Sequence, residues 1–182
     1  MVSDFLSTPN PETQLPDSDT PQVIEQFLQL RFASEMTALL PTEVLTEVIN
    51  ISPEQVMPMP HMSPWIMGTY NWRGEILWLV DVGYLIGLTP LYQQVIPTYT
   101  AAVLHFPLPP HMFNDGGMQI VGLVFNQVGN IERCDPNQID TDSFSAANAE
   151  LEKFLRGYWF KSEEESLAVL NPDVLWQEIS QF

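Results

Sequence analysis

Alternating and continuous apolar runs along the chain predict a protein built mainly from short β-strands. The clearest alternation lies in residues 27–32, where Leu28, Leu30 and Phe32 fall on one face of a half-buried strand. Residues 76–80 are continuously apolar and rich in β-formers, which predicts a strand buried on both faces. Further apolar runs predict strands over residues 99–106, 120–125 and 167–170. Short strands separated by turn signals, with few helices, indicate an all-β barrel or sandwich.

The remaining segments are helical, irregular or ambiguous. Apolar residues at helical spacing between Phe144 and Leu155 predict one helix, with Gly157 as its terminator. Asn171 followed by Pro172 predicts the start of a second helix. Residues 42–49 fit either a strand or a short helix followed by a strand, and the proline-rich residues 57–64 fit an extended loop. Residues 1–22, four of them proline, are too polar to bury a core, so we expect a disordered tail before a domain over residues 23–182.

Charge and composition narrow the kinds of partner and compartment. The chain of 182 residues has 23 acidic side chains against six Lys and Arg, a formal net charge of −17. This balance argues against nucleic-acid binding and against docking on an anionic membrane, since both need clustered cations. Cys134 is the only cysteine, so no internal disulfide forms, and no apolar run approaches the ~20 residues of a membrane span. We therefore expect a soluble cytoplasmic protein with no direct membrane insertion.

Two small groups of residues raise the question of chemistry. His61 lies between Met59 and Met62 in the loop that begins at Met57, and thioethers with an imidazole suit copper(I). A small metal- or ligand-binding β-barrel that uses this loop is therefore an alternative hypothesis, although such methionines more often fill gaps or form an adaptable surface. Cys134 follows Arg133, but the sequence shows no histidine placed to act as its base. We predict no catalytic residues, no metal and no cofactor.

The most distinctive segment is residues 68–74, in which two glycines bracket Asn71 and Arg73 ahead of the apolar strand. The glycines allow a chain bend, and Asn favours turns, so this segment is expected to be a junction between a loop and a strand. Arg73 is one of only two cations before residue 130. It is expected either to form an ion pair with an acid such as Asp81 or Glu47, or to anchor an interface.

These residues resemble the CheW family, the adaptor proteins that couple chemoreceptors to the histidine kinase CheA. The resemblance rests first on Gly68-Thr-Tyr-Asn71-Trp-Arg73-Gly74-Glu-Ile-Leu-Trp-Leu-Val-Asp81. It extends in order over roughly residues 23–179, through segments that match the family pattern at Gln26-Phe-Leu-Gln-Leu30, Val44-Leu-Thr-Glu47-Val-Ile49, Val121-Gly122-Leu-Val-Phe-Asn126-Gln-Val128, Phe154-Leu-Arg-Gly157, Ala168-Val-Leu170 and Val174-Leu175.

The resemblance implies two five-stranded β-barrel lobes packed around a shared hydrophobic junction, and a function without catalysis. It implies binding to the cytoplasmic tip of a chemoreceptor and to the regulatory domain of a CheA-type histidine kinase. The partner-binding residues that it implies are Asn71, Arg73, Gly68, Gly122, Glu47 and Leu45.

Three positions depart from the family pattern. Asn126 stands where the family has Asp, Trp78 where it has Pro, and the aromatic Trp72 lies between Asn71 and Arg73. These departures indicate a divergent member that serves type IV pilus motility or another taxis-like pathway. The aromatic, Pro-rich and Gln-rich texture of the chain resembles that of cyanobacterial proteins, a resemblance that implies phototaxis.

Overall fold

Two β-sheets carry most of the chain in the computed structural model, which describes residues 23–33, 36–107, 118–142, 149–163 and 165–181. The first sheet has six strands in the order β8-β1-β2-β11-β10-β9, and the second has five in the order β3-β6-β7-β5-β4. The first sheet contains β1 (Glu25–Arg31), β2 (Thr37–Pro41), β8 (Gln127–Cys134), β9 (Ile139–Asp140), β10 (Leu155–Phe160) and β11 (Ser166–Leu170). The second contains β3 (Leu45–Ile51), β4 (Ile66–Trp72), β5 (Glu75–Asp81), β6 (Tyr99–Pro107) and β7 (Met118–Phe125).

Helices are short and lie between or after the strands. They are α1 (Val82–Leu85), α2 (Ala149–Glu152) and α3 (Pro172–Ile179). Asn171 caps α3 by accepting hydrogen bonds from the amides of Asp173 and Val174, as its sequence with Pro172 at the first helical position predicted. The expectation of a mainly β protein with few short helices is confirmed.

Three buried clusters show how the sheets pack. One cluster lies on one face of the first sheet and includes Phe27, Leu39 and Trp159. We call the first sheet with this cluster the first lobe, and the second sheet with its own cluster the second lobe. A second lies inside the second lobe and includes Trp72 and Leu77. The largest joins the two sheets, and we call it the junction; among its members are Leu28, Leu40, Val80, Ala102, Leu104, Leu123, Leu170 and Leu175. Each sheet therefore covers its own lobe with one face and the junction with the other.

This arrangement explains where burial follows the sequence pattern and where it does not. In β5, Leu77 and Leu79 enter the second lobe while Val80 enters the junction, so the prediction of a strand buried on both faces is confirmed except at the exposed Ile76. The prediction that β1 is only half buried is wrong. Phe27 and Gln29 on its other face are also buried, because Phe27 packs in the cluster on that side of the first sheet.

Two local predictions are settled by the backbone. Of the two alternatives for residues 42–49, the second is correct: a 3₁₀ turn over Thr42–Val44 precedes β3. The helix expected to end at Gly157 is wrong in its C-terminal part. Leu155 begins β10, and Gly157 lies inside that strand, where a Cβ would come within 2.3 Å of the Asp140 carbonyl oxygen.

The remaining predictions of secondary structure are either confirmed or fall on residues that the structure does not describe. Strands are confirmed around residues 27–31, 76–80, 99–106, 120–125 and 167–170, and residues 57–64 form an irregular loop. The expected tail over residues 1–22 and the start of the predicted helix at Phe144 lie outside the described residues.

Candidate functional site

The segment around Arg73 is a tight hairpin between β4 and β5. Trp72 pairs with Glu75, so the loop consists of Arg73 and Gly74 alone. Both have positive φ, 54° and 88°, as a type I′ hairpin turn requires. The Asn71 side-chain oxygen accepts a hydrogen bond from the Gly74 amide at 3.0 Å, which stabilises the turn. The expectation of a loop-to-strand junction is thus corrected, because residues before the turn already belong to β4.

Glu47, on β3, holds this hairpin from the opposite edge of the second sheet. Its Oε2 lies 2.7 Å from Nη2 of Arg73, and its Oε1 accepts a hydrogen bond from the indole N–H of Trp72. The Arg73 guanidinium carbon also lies 4.9 Å from the centroid of the Trp72 ring, within the range of a cation–π contact. One carboxylate therefore fixes both a buried indole and an exposed guanidinium.

A β-bulge explains why Glu47 points toward Trp72. The register between β3 and β6 shifts between Leu45 and Glu47, so that Leu45 pairs with Leu104 while Glu47 pairs with Val103. Leu45 consequently packs against the junction, whereas Glu47 faces Trp72, which belongs to the cluster of the second lobe. Because β3 and β4 are the two edges of the sheet, the Glu47 contacts draw these edges together at the hairpin end.

Thr46 and His105 extend the site behind the hairpin. Thr46, the residue at the bulge, shares a hydrogen bond with Nδ1 of His105 on β6. The His105 ring meets the Trp72 ring edge-on, with 6.0 Å between centroids. Sequence reasoning identified Glu47 and Arg73 but not these supporting rings. Trp72 was visible only as an unusual aromatic between Asn71 and Arg73.

Exposure makes Arg73 distinct from the other cations that form ion pairs among the described residues. Its side chain is 67% exposed, while that of Glu47 is 28% exposed. Among the described residues, three other ion pairs hold cations that are less exposed: Lys153 with Glu150, Arg156 with Glu25 and Lys161 with Glu132. Arg73 therefore presents a positioned positive charge on a strongly acidic molecule.

Gly68 and Gly122 lie in the interior rather than on the hairpin surface. A Cβ on Gly68, whose φ is 136°, would lie 2.1 Å from the Met57 carbonyl oxygen. A Cβ on Gly122 would lie 2.8 Å from Cδ2 of Leu79. Both glycines thus allow close packing inside the second lobe. Of the six site residues predicted from the sequence, four lie at the hairpin end: Asn71, Arg73, Glu47 and, at the bulge, Leu45.

Asp81, the other candidate partner of Arg73, has a separate structural role. It ends β5 and caps α1, accepting hydrogen bonds from the amides of Tyr84 at 2.9 Å and Leu91 at 2.7 Å. Burial raises the pKa of this carboxyl, and the backbone hydrogen bonds oppose that rise. Of the two ion-pair partners expected for Arg73, the structure selects Glu47.

The other candidate chemistry is dispersed. His61 is exposed, with φ of 63°, in a loop where Met57 is 70% and Met59 is 43% exposed. Within the described ranges, no three His, Cys, Asp or Glu side chains come close enough together to hold a metal ion. Cys134 is buried, and desolvation raises the pKa of its thiol, with Glu25 adding to the rise. A raised pKa disfavours the thiolate that a nucleophile needs.

Two sheets around a shared core, with a charged hairpin at one end, define a two-lobed β protein. The model of the CheW-like domain family matches residues 26–180, and the chain belongs to that family. Among solved structures, it is similar to the scaffolding protein TtCheW from Thermoanaerobacter tengcongensis, with a TM-score of 0.63 and 17% identity over 82% of this chain and 90% of that one. Comparison with curated proteins finds no match. None of the helices in the described residues is long and apolar enough to cross a membrane.

Proposed function

We propose that this protein is a non-enzymatic adaptor that links the cytoplasmic tip of a chemoreceptor-type sensor to the regulatory domain of a CheA-type histidine kinase. Its membership of the CheW-like domain family supports this role. The observation that carries the proposal is the fixed and exposed Arg73 at the tip of the β4–β5 hairpin. Backbone strain of this kind, a non-glycine residue with φ of 54°, occurs preferentially at functional sites.

The hairpin suits binding because Arg73 is ordered before the partner arrives. Glu47 and the Trp72 ring hold the guanidinium, so little rotamer entropy is lost when a partner carboxylate or carbonyl accepts from its remaining N–H groups. Arg is enriched among the residues that dominate interface energies. Asn71 shapes the turn, Leu45 supports the bulge that directs Glu47, and we assign both a positioning role.

The finer proposal concerns the pathway. We place this adaptor in type IV pilus motility or phototaxis, on the ground that it departs from the family pattern at Trp72, Trp78 and Asn126. The Asn126 amide accepts from the Ala33 amide and donates to the Gln94 side chain at 2.6 Å, which ties a turn of the first lobe to a loop of the second. Deletion of the gene should then impair surface motility or light-directed movement, and a defect confined to swimming would contradict this assignment.

Binding measurements with the full chain test the adaptor role directly. The protein should bind the regulatory domain of a CheA-type kinase and a receptor-tip hairpin from the same cell. Arg73→Ala should weaken the receptor complex, by a factor of about 10 or more if Arg73 behaves as an interface hot spot. Arg133→Ala is the matched control, since Arg133 is an exposed arginine on β8 of the other sheet. Absence of binding to both partners, or equal losses in the two variants, would contradict the proposal.

A further inference from the structure

A cleft lies at the end of the second lobe that is remote from Arg73. It has a volume of about 340 Å³ and is formed where β4 and β6 begin and where the loop after β3 passes. Among its lining residues are Pro53, Pro58, Pro64, Met67, Tyr92 and Tyr99. The hairpin lies at the other end of β4, whose seven residues span about 20 Å. The cleft and the hairpin therefore belong to opposite ends of one sheet.

Large apolar side chains are exposed to solvent beside this cleft. Met57 is 70%, Tyr92 is 68% and Met59 is 43% exposed. Pro58, between the two methionines, lines the cleft, and so does Tyr92. Exposed apolar side chains grouped in this way are typical of an interface, and methionine adapts its shape to the surface that it meets. We call the cleft together with Met57, Met59 and Tyr92 the end face.

The end face has little charge although the chain is strongly acidic. Asp81 lines the cleft, but it is 2% exposed, and its two carboxylate oxygens accept hydrogen bonds from backbone amides. Glu54 follows Pro53 in the loop that lines the cleft, and it is exposed. Among the described residues of the segments that form the cleft, no other acid is exposed. These segments therefore contribute one exposed carboxylate to the end face.

Most acidic side chains belong to other parts of the chain. Of the 23 acids, five fall within residues 44–131, namely Glu47, Glu54, Glu75, Asp81 and Asp115. Glu47 lies at the hairpin end of the second sheet, where it binds Arg73. Glu75 lies there too, since it is the first residue of β5 after the turn. Asp115 lies outside the described residues. The second lobe thus carries its described exposed acids mainly at the end opposite to the cleft.

We propose that a second copy of this chain covers the end face, in a symmetric dimer that places the two end faces against each other. Copies with a formal charge of −17 repel each other, and the repulsion is weakest where exposed carboxylates are fewest. A two-fold axis joins the same patch on both copies, so the patch must be self-complementary. The end face meets this requirement, because Met57 and Met59 of each copy protrude beside a cleft that the other copy can fill.

This dimer leaves the β4–β5 hairpin of each copy free. Because the hairpin and the end face lie at opposite ends of the second sheet, the two Arg73 side chains lie on the outer sides of the dimer. If the hairpin binds a receptor tip, as proposed above, one dimer connects two such tips. The dimer itself does not depend on that function, since none of the residues of the end face belongs to the hairpin.

Sedimentation equilibrium of the full chain tests whether the dimer forms. The average mass should rise with protein concentration from that of one chain toward that of two. The association constant should increase when NaCl is raised from 0.01 to 0.1 M, because the Debye length falls from about 30 to about 10 Å and the repulsion between copies is screened. A chain that stays monomeric at millimolar concentration in 0.1 M NaCl, or an association that this change in salt weakens, would overturn the proposal.

Substitutions of exposed side chains locate the contact. Tyr92→Ser and Met57→Ser should each lower the association constant by about tenfold or more. Both side chains are mostly exposed in the single chain, so the urea midpoint of each variant should stay close to that of the unsubstituted chain. Phe160→Ser is the matched control, because it removes an aromatic side chain that is 52% exposed on β10 of the first lobe. An equal loss of association in this control would show that the end face is not the contact.

A paramagnetic label on one copy shows which surfaces meet. Val95→Cys provides the attachment point, because Val95 is fully exposed three residues after Tyr92, and Cys134 is only 3% exposed. The labelled copy is mixed with unsubstituted chain that carries isotope-labelled methionine methyl groups. The signal of Met57 should be broadened, whereas that of Met118, which is 54% exposed at the hairpin end, should persist. Unsubstituted chain treated with the label controls for reaction at Cys134.

Two further results separate this dimer from other contacts. Equal broadening of Met57 and Met118 would mean that the copies meet without a preferred face, and the proposal would be wrong. If the regulatory domain of the kinase shifts the Met57 signal while copies of this chain do not, the occupant of the end face is the kinase, and the assignment to a second copy is again wrong. Arg73→Ala should leave the association constant unchanged, so the dimer and the adaptor role are tested separately.

Discussion

At the scale of single residues, Glu47 contributes more to the stability of the site than Arg73 does. It accepts hydrogen bonds from the indole of Trp72, which is 8% exposed, and from the guanidinium of Arg73, which is 67% exposed in its side chain. Losing the acceptor of a buried N–H costs about 1–3 kcal/mol, whereas an exposed ion pair contributes about 0–1 kcal/mol. The two ends of one interaction therefore differ in their effect on stability.

We accordingly expect Glu47→Ala to lower the free energy of unfolding by about 1–3 kcal/mol, and Arg73→Ala to lower it by less than about 1 kcal/mol. Urea denaturation of the full chain measures both. Glu47→Gln is the control, because one amide oxygen remains to accept from the Trp72 indole and most of the stability should be retained. Equal losses for Arg73→Ala and Glu47→Ala would show that Trp72 does not depend on the carboxylate.

The sequence pointed to this site but not to its geometry. The Asn-x-Arg-Gly pattern singled out Asn71 and Arg73, and Glu47 was one of two acids expected to pair with the arginine. The choice between Glu47 and Asp81 depends on the bulge in β3 and on the curl of the sheet, which no local pattern encodes. The supporting roles of Trp72 and His105 were not predicted for the same reason, since their contacts cross between strands that are distant in sequence.

At the scale of elements, the glycines of the β4–β5 region have different physical requirements. Gly74 needs only its positive φ of 88°, since a Cβ there would meet nothing within 4 Å. Gly68 combines a φ of 136° with a backbone oxygen 2.1 Å from the position of a Cβ. A flexible side chain can move away from such a clash, but the Met57 backbone is held by two hydrogen bonds with Thr69.

We therefore expect Gly74→Ala to destabilise the fold by about 1–2 kcal/mol through backbone strain alone. Gly68→Ala should cost more, because the Met57 backbone must also move. Thermal unfolding of the two variants provides the comparison, and Gly74→Ala should in addition weaken receptor-tip binding by displacing Arg73. A smaller loss for Gly68→Ala than for Gly74→Ala would contradict the proposed close approach to Met57.

Most strands that bury long apolar runs were predictable, and strands with weak or short apolar runs were missed. β8 is exposed along most of its length and is buried only at Cys134, so it lacks an apolar signal. β10 carries buried residues at alternate positions, Leu155, Gly157 and Trp159, but Leu151, Phe154 and Leu155 also fit helical spacing. The tertiary pairing of β10 with β11 decides between the two periods. β2 has only five residues, although Ala38, Leu39 and Leu40 are buried, and β4 has seven residues of mixed burial; their pairing partners likewise determine them.

At the scale of the whole molecule, the burial of both sheet faces follows from the two-lobed architecture. The junction contains strands of both sheets together with α3, where Trp176 stacks on Phe106 with 4.8 Å between ring centroids. The sequence predicted the class and, through its resemblance, the two lobes. It could not show which face of β1 meets which cluster, since Phe27 and Leu28 are equally apolar and enter different ones.

Charge has two opposite effects on the stability of the folded molecule: the ion pairs stabilise it, and the excess of acidic side chains destabilises it. The chain has 23 acidic and six basic Lys and Arg side chains, and four ion pairs are found among the described residues. Salt weakens each exposed pair, which contributes about 0–1 kcal/mol. Salt also screens the repulsion among the excess carboxylates, which opposes the compact state. Because the acidic side chains outnumber Lys and Arg by 17, the relief of repulsion should dominate.

Stability of the full chain should therefore rise as the salt concentration increases from 0.01 to 0.1 M, over which the Debye length falls from about 30 to about 10 Å. The midpoint of urea unfolding measures this, and NaCl and KCl should have equal effects because screening depends only on ionic strength. Lowering the pH toward the range in which exposed carboxyls are protonated should reduce the salt effect, since the repulsion disappears with the charge. A midpoint that falls with added salt would mean that the four ion pairs, rather than the excess of acids, control the electrostatic contribution to folding.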